Sequence, residues 1–217
     1  GRHLSQITST VKNQALLNIA VAIDSNQEDI LNANDRDVHA GKKGGISDVL
    51  LDRLALNPNR LKDMANDVRN VANLEDPVGD ILESRELPNG LQLYKKRVPL
   101  GVIGAIYESR PNVTVDIAVL CIKSGNSVLL RGGREAVHSN RILAGLIRDQ
   151  IAIAGVPRDS VQFIESTDRS LVGKMLSMKD YIDLIIPRGG ENLIHRVSRE
   201  ATMPAITGGI GVCHTYV

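Results

Sequence analysis

The chain has 217 residues, 42% hydrophobic and 24% charged, enough apolar material for a buried core and too much for wholesale disorder. A formal net charge of +1 and an aromatic set of four tyrosines and one phenylalanine argue against a nucleic-acid binder, which relies on a basic surface and stacking platforms. No apolar run approaches the roughly 18 residues that cross a bilayer, so no membrane partner is expected. The two cysteines, Cys121 and Cys213, lie far apart without a CxxC or paired histidines. No metal site is expected, and the thiols fit a reduced, cytoplasmic protein.

Residues 1–76 read as a helical segment packed on the α/β region of the chain. Leu16, Leu17, Ile19, Ala20 and Ile23 recur at helical spacing. A second helix, 27–40, carries Ile30, Leu31, Ala33 and Val38 and stops at Gly44-Gly45. A third starts near Ser47, with Val49, Leu50, Leu51 and Leu54 as its apolar members. The fourth has Asn57 as cap and Pro58 in the first turn, where a missing N–H costs nothing. Residues 77–98 form a separate unit. Asn89-Gly90 is a hairpin turn signal, and 91–98 alternate as a half-exposed strand does, suited to an edge or to pairing with a second copy.

From residue 99 to 217 strands and helices alternate: strand 102–107, helix 113–123, strand 127–130, helix 134–154, strand 161–164, helix 171–178, strand 182–186, helix 191–200 and a final strand over 212–217. Short apolar strands separated by helices pair in parallel with right-handed crossovers. The predicted fold is α/β, a doubly wound, mostly parallel sheet preceded by the helical segment. Both ends are expected to be cut from a longer chain, since the first residue is not Met and the last ones are apolar.

Ligands of such sheets bind at the carboxyl ends of the strands. Two turns there share one composition: Arg131-Gly132-Gly133-Arg134 and Pro187-Arg188-Gly189-Gly190. Each runs from a strand into a helix, where bare amides and a partial positive charge favour phosphate. One corner suits a pyrophosphate. The other suits a ribose or its 2′-phosphate, which an arginine matches. The competing reading is a plain tight turn requiring positive φ. Neither corner is a G-x-G-x-x-G fingerprint, and no P-loop occurs. Asn112, after the first strand of this region, either caps the next helix or aims its amide at a developing oxyanion. Cys213 and His214 are neighbours in a predicted strand and point to opposite faces, so they form no catalytic pair. Cys121 reads as core, and His138 and His195 as surface or boundary residues.

These segments together resemble one family. Tyr107-Glu108-Ser109-Arg110-Pro111-Asn112-Val113-Thr114, Gly125-Asn126-Ser127 through Arg131-Gly132-Gly133, Ile186-Pro187-Arg188-Gly189-Gly190, Ile206-Thr207-Gly208-Gly209-Ile210-Gly211-Val212-Cys213-His214, and Leu51-Asp52-Arg53-Leu54 are similar to the glutamate-5-semialdehyde dehydrogenase family of the aldehyde dehydrogenase superfamily. The resemblance implies NADPH-dependent reduction of L-glutamyl 5-phosphate to glutamate 5-semialdehyde and phosphate in proline biosynthesis. It also implies that Arg131, with Gly132, Gly133 and Arg134, faces the adenosine ribose. Arg188, Gly189 and Gly190 would then face the pyrophosphate, and Asn112 the oxyanion. Thr207 falls where hydrolytic members keep a glutamate base. The family's nucleophilic cysteine, in a segment matched by neither Cys121 nor Cys213, is expected to be missing from these residues. The chain would then supply cofactor contacts without the covalent step, and the strand at 91–98 would pair copies of the chain. A stand-alone nucleotide-binding or assembly module without chemistry is the alternative.

Overall fold

A computed structural model describes Gly1 and residues 3–208. The final strand predicted over 212–217 and the Cys213-His214 neighbours lie outside the described residues.

Four helices open the chain: α1 (Ser9–Ser25), α2 (Gln27–Lys43), α3 (Asp48–Leu54) and α4 (Pro58–Asn73). The punctuation that defines them is local. Asn57 accepts the amide of Arg60 at 2.8 Å and Pro58 opens α4, while Gly45 takes the φ of +73° that ends α2. Ser47 sits at the start of α3 but caps it without a side-chain hydrogen bond. α1 and α4 pack together through Leu16, Ile19, Ile23, Leu61, Met64 and Val68, all buried. Each such side chain contributes about 1.5–3 kcal/mol of transfer free energy.

Helix α2 departs from its apolar reading, because its most buried members include the polar Asn34 and Asp37. Asn34 donates to the Leu54 carbonyl and to Ser139, and accepts from the amide of Leu56. Asp37 caps a helix more than a hundred residues downstream.

The exposed β1 (Ile81–Glu86) and β2 (Gln92–Lys96) form an antiparallel hairpin, its turn carried by Gly90 at φ +82°. Every residue of both strands is exposed. A two-stranded ribbon is marginal by itself.

The main sheet contains β3 (Val102–Tyr107), β4 (Ser127–Arg131), β5 (Val161–Phe163) and β6 (Leu184–Arg188), all parallel, in the order β5-β4-β3-β6. Between and after them run α5 (Asn112–Lys123), α6 (Val137–Ile153), α7 (Ser170–Leu176) and α8 (Glu191–Glu200). Alternate residues of the strands serve two cores. Ile103, Ala105, Tyr107, Val128 and Leu130 pack with α1, α4, α5 and α6, while Ile106 and Ile185 pack with α7 and α8. The fold is therefore the doubly wound α/β class predicted. β6 starts and ends two residues later than expected, taking in Pro187 and Arg188. Beside it the segment around Ala205 runs parallel to Ile185.

Helical segment and sheet are joined by a buried ionic group. Lys12, 1% exposed, pairs with Asp76 and donates to the Lys123 carbonyl at 3.1 Å. The Lys123 ammonium in turn reaches Asn13 at 2.6 Å and the Ala72 carbonyl at 2.8 Å. Burial raises the pKa of the Asp76 carboxyl, but hydrogen bonds from Lys12, Ser9 and the Val78 amide outweigh it and leave the group below its ordinary 3.8. A depressed folded-state value places this stabilisation above pH 3.8, and it is lost as pH falls through the lower folded value. Asp76→Asn is therefore expected to start less stable at neutral pH and to lose less on acidification, as read by thermal melts across an acid titration.

Candidate functional site

The carboxyl ends of the four parallel strands open onto two adjoining clefts that share Leu50, Glu108 and Ser109. The first, about 570 Å³, is lined by Arg131, Arg134, Arg169 and Arg196 over an apolar floor of Ile106, Val172 and Leu193. The second, about 470 Å³, gathers Arg53, Arg110 and Arg188 around Gly189, Gly190 and Gly208. Glu108 and Glu135 are the carboxylates among the described lining residues. The strand order puts β3 at the centre, so the loop after it forms the ridge between the clefts. That loop holds a backbone outlier, Ser109 at φ +45°. Glu135 fixes it, accepting from the Ser109 amide at 2.7 Å and from its hydroxyl at 2.8 Å. A non-glycine residue in this region stores strain that the surroundings must hold.

Arg131 ends β4 and is 8% exposed. Its guanidinium donates to the carbonyls of Gly132 (3.1 Å), Asp168 (3.4 Å) and Thr167 (3.5 Å), while its buried Nε has no partner among the described residues. Burial pushes its pKa below the ordinary value. Glu135 opposes the shift, Arg169 and Arg196 add to it, and Asp168 opposes it. Arg131 thus lines the first cleft with its charge desolvated and its Nε unpartnered.

The geometry corrects the expectation about the first corner. The helix predicted from 134 begins at Val137, after a 3₁₀ turn over Arg134–Ala136. The amides at the start of α6 are already taken: those of His138 and Ser139 donate to Asp37 at 3.1 and 2.8 Å. Gly132 and Gly133 therefore expose no bare helix terminus, and neither has positive φ. Gly132 is required by packing, since a Cβ there would lie 2.2 Å from the Asn140 amide nitrogen and 3.1 Å from the Tyr107 ring.

The second corner keeps more of its predicted character. Gly190, at φ −68°, caps α8, and its amide donates to Glu108 at 2.9 Å. The amides of Glu191 and Asn192 make no hydrogen bond among the described residues. Glu108 is exposed, so an incoming phosphate can displace it. A Cβ on Gly189 would meet this carboxylate at 2.6 Å and Leu193 at 2.9 Å.

Asn112 is the first residue of α5, with Pro111 at the cap position, so the capping alternative fails. Its amide donates to Asp116 at 3.0 Å, and it lines neither cleft. Burial and the nearby Asp67 raise the Asp116 pKa, offset by Asn112 and Arg188. Cys121 is buried in the α5 core, and burial pushes its thiol up to about 12, too high for a nucleophile. His195 is exposed and pairs with Glu191, and His138 is half-buried. Among the described residues no group of three or more His, Cys, Asp or Glu side chains could hold a metal ion, and no helix is long and apolar enough to cross a membrane.

Arg131, Gly133 and Arg134 thus meet in one cleft, and Arg188, Gly189 and Gly190 in the other. Reading the sequence missed Arg53, Glu108, Arg169 and Arg196. Glu108 follows a strand end, a position that the carboxyl-edge rule marks. Nothing local marks Arg169, Arg196 or Arg53, which arrive from the turn before α7, from α8 and from α3.

The model of the aldehyde dehydrogenase family matches residues 2–209. A gamma-glutamyl phosphate reductase of Escherichia coli O81 is 53% identical over 215 residues, which make up 99% of this chain and 51% of that protein. The crystal structure of gamma-glutamyl phosphate reductase from Thermotoga maritima superposes with a TM-score of 0.95 at 44% identity, over 97% of this chain and 51% of that one. The enzyme of the same name from Saccharomyces cerevisiae gives 0.88 at 37%, over 96% of this chain and 53% of that one. The chain spans about half the length of the relatives it matches.

Proposed function

The chain belongs to the aldehyde dehydrogenase family, and from that premise we propose that it is the cofactor-binding part of a reductase that converts L-glutamyl 5-phosphate with NADPH into L-glutamate 5-semialdehyde and phosphate, in proline biosynthesis in the cytoplasm. The observation that carries this reading is Arg131, buried at a strand end with an unused donor and with Arg134, Arg169 and Arg196 lining the same cleft. A 2′-phosphate there neutralises charge that an unphosphorylated ribose leaves unmatched. The names of the similar proteins supply the substrate.

NADPH, when bound, supplies the hydride. Arg131, Gly133 and Arg134 would hold its adenosine end in the first cleft, and Gly189 and Gly190 with the amides at the start of α8 would hold its pyrophosphate. Asn112, oriented by Asp116, offers its second amide hydrogen to the carbonyl oxygen as negative charge develops there. Cys121 is too deeply buried to attack the acyl phosphate, so the covalent step falls to a thiol other than this one. Titration of the chain is expected to show tighter binding of NADPH than of NADH, without turnover. Equal affinities would remove the 2′-phosphate assignment, and absence of binding to both would remove the cofactor reading.

The hairpin is proposed to pair copies of the chain. Its strands leave Ile81, Leu82, Leu93 and Tyr94 exposed, apolar surface that a second copy would cover. Sedimentation should show an oligomer that Leu93→Lys shifts toward monomer. A monomeric parent would rule this out.

A further inference from the structure

We propose that Arg53, Arg110 and Arg188 form a subsite for a small tetrahedral oxyanion, the phosphate group that the substrate carries and the reaction releases, distinct from the positions that hold the cofactor. The inference deepens the proposed function and rests on it for the identity of the phosphate's source. The three side chains come from separate parts of the chain: α3, the loop between β3 and α5, and the end of β6. They converge on one cleft of about 470 Å³.

None of the three guanidinium groups has a hydrogen bond or ion pair among the described residues. By contrast Arg60, Arg69, Arg141, Arg148 and Arg158 each hold a carboxylate. The neighbour that could have neutralised Arg53 is already engaged: Asp52 accepts Arg60 at 2.8 Å. The one carboxylate among the described residues lining the cleft, Glu108, is engaged by the Gly190 amide. Three guanidinium groups against Glu108 in the cleft, with Asp116 acting on Arg188 from α5, leave a surplus of positive charge, and an anion seated between them lowers that cost.

The number and type of the groups select the anion. A carboxylate is satisfied by one guanidinium fork, whereas the several oxygens of a phosphate can engage three. Leu50, from the same short helix as Arg53, gives the cleft an apolar side, against which a short aliphatic chain attached to the phosphate can rest. The helical segment thereby becomes part of the site, with α3 carrying a charge to the edge of the sheet.

The test uses inorganic phosphate as probe, titrated calorimetrically at constant ionic strength into the parent chain and into Arg53→Gln and Arg110→Gln, with and without saturating NADPH. Arg53 is exposed and unpaired, so its replacement leaves folding intact, and thermal melts verify this for both variants. Each variant is expected to bind phosphate about tenfold more weakly, the loss of one charge-assisted hydrogen bond, with unchanged NADPH affinity. Phosphate should bind equally well with NADPH present. Parental phosphate affinity in both variants would overturn the subsite. Loss of phosphate binding on saturation with NADPH would also overturn it, assigning the arginines to the cofactor's pyrophosphate. A chain that binds phosphate through Arg53 but binds no NADPH would retain the subsite while refuting the cofactor reading.

Discussion

Arg131→Ala is expected to weaken NADPH binding about 10- to 100-fold while changing NADH binding far less. The guanidinium is desolvated before any ligand arrives, and one of its donors is unused. Charge-assisted hydrogen bonds formed by such a group contribute roughly 1.5–3 kcal/mol, and each 1.4 kcal/mol is about tenfold in affinity. The existing bonds to the carbonyls of Gly132, Thr167 and Asp168 hold the side chain in place. Arg131→Lys should recover only part of the affinity, because an ammonium cannot keep those bonds and also fork onto a phosphate. Fluorescence titration of the reduced cofactors reads both outcomes. Equal NADPH affinity for parent and Arg131→Ala would take this residue out of the site.

Asp37→Ala is expected to produce the largest loss of stability, about 3 kcal/mol or more, a fall in melting temperature of roughly 6–12 °C for a chain of this size. Asp37 is 2% exposed. One of its oxygens accepts from the His138 amide, and the other from the Ser139 amide and, at 2.7 Å, the Ser139 hydroxyl. Removal leaves two helix-terminal amides without partners and the Ser139 hydroxyl with no acceptor for its proton, and withdraws the negative charge from the start of α6. Asp37→Asn keeps the shape but turns a donor toward donors, so it should recover little. Asp35→Ala, on the same helix but exposed and paired only with His39 at the surface, should change the melting temperature little. A melting temperature for Asp37→Ala within that of the Asp35 control would sink the assignment. Because α6 comes soon after the Arg131-Gly132-Gly133 turn, the same variant should loosen the first cleft, and the loss of NADPH affinity should exceed that of Asp35→Ala.

Much of the fold was legible in the residues. The span of β3 was read from its apolar run, α8 from the helical stretch that follows Gly190, and the start of α4 from Asn57 and Pro58. The hairpin was read from Asn89-Gly90 and the doubly wound class from the alternation of strand and helix. All of these depend on local propensity, on period and on the dihedral freedom of single residues, which a chain expresses without reference to distant partners. The resemblance to a known family went further and named the family to which the chain belongs.

What only the tertiary structure decided concerns groups whose partners lie far along the chain. Asp37 and Asn34 had no place in the apolar reading of α2. They form the polar seam against α6, where Asp37 occupies the His138 and Ser139 amides that open that helix. Gly132 was read as an opening for phosphate and is a packing requirement of Asn140 and Tyr107. Arg53, Arg169 and Arg196 carried no local signal, yet folding delivers them to the sheet's edge beside Arg110, Arg131 and Arg188. Sequence spacing reports what a residue does for its own helix or strand. Which charges gather, which amides are already occupied and which guanidinium groups are left without a counterion depend on contacts across a hundred residues, and those are set only when the layers close.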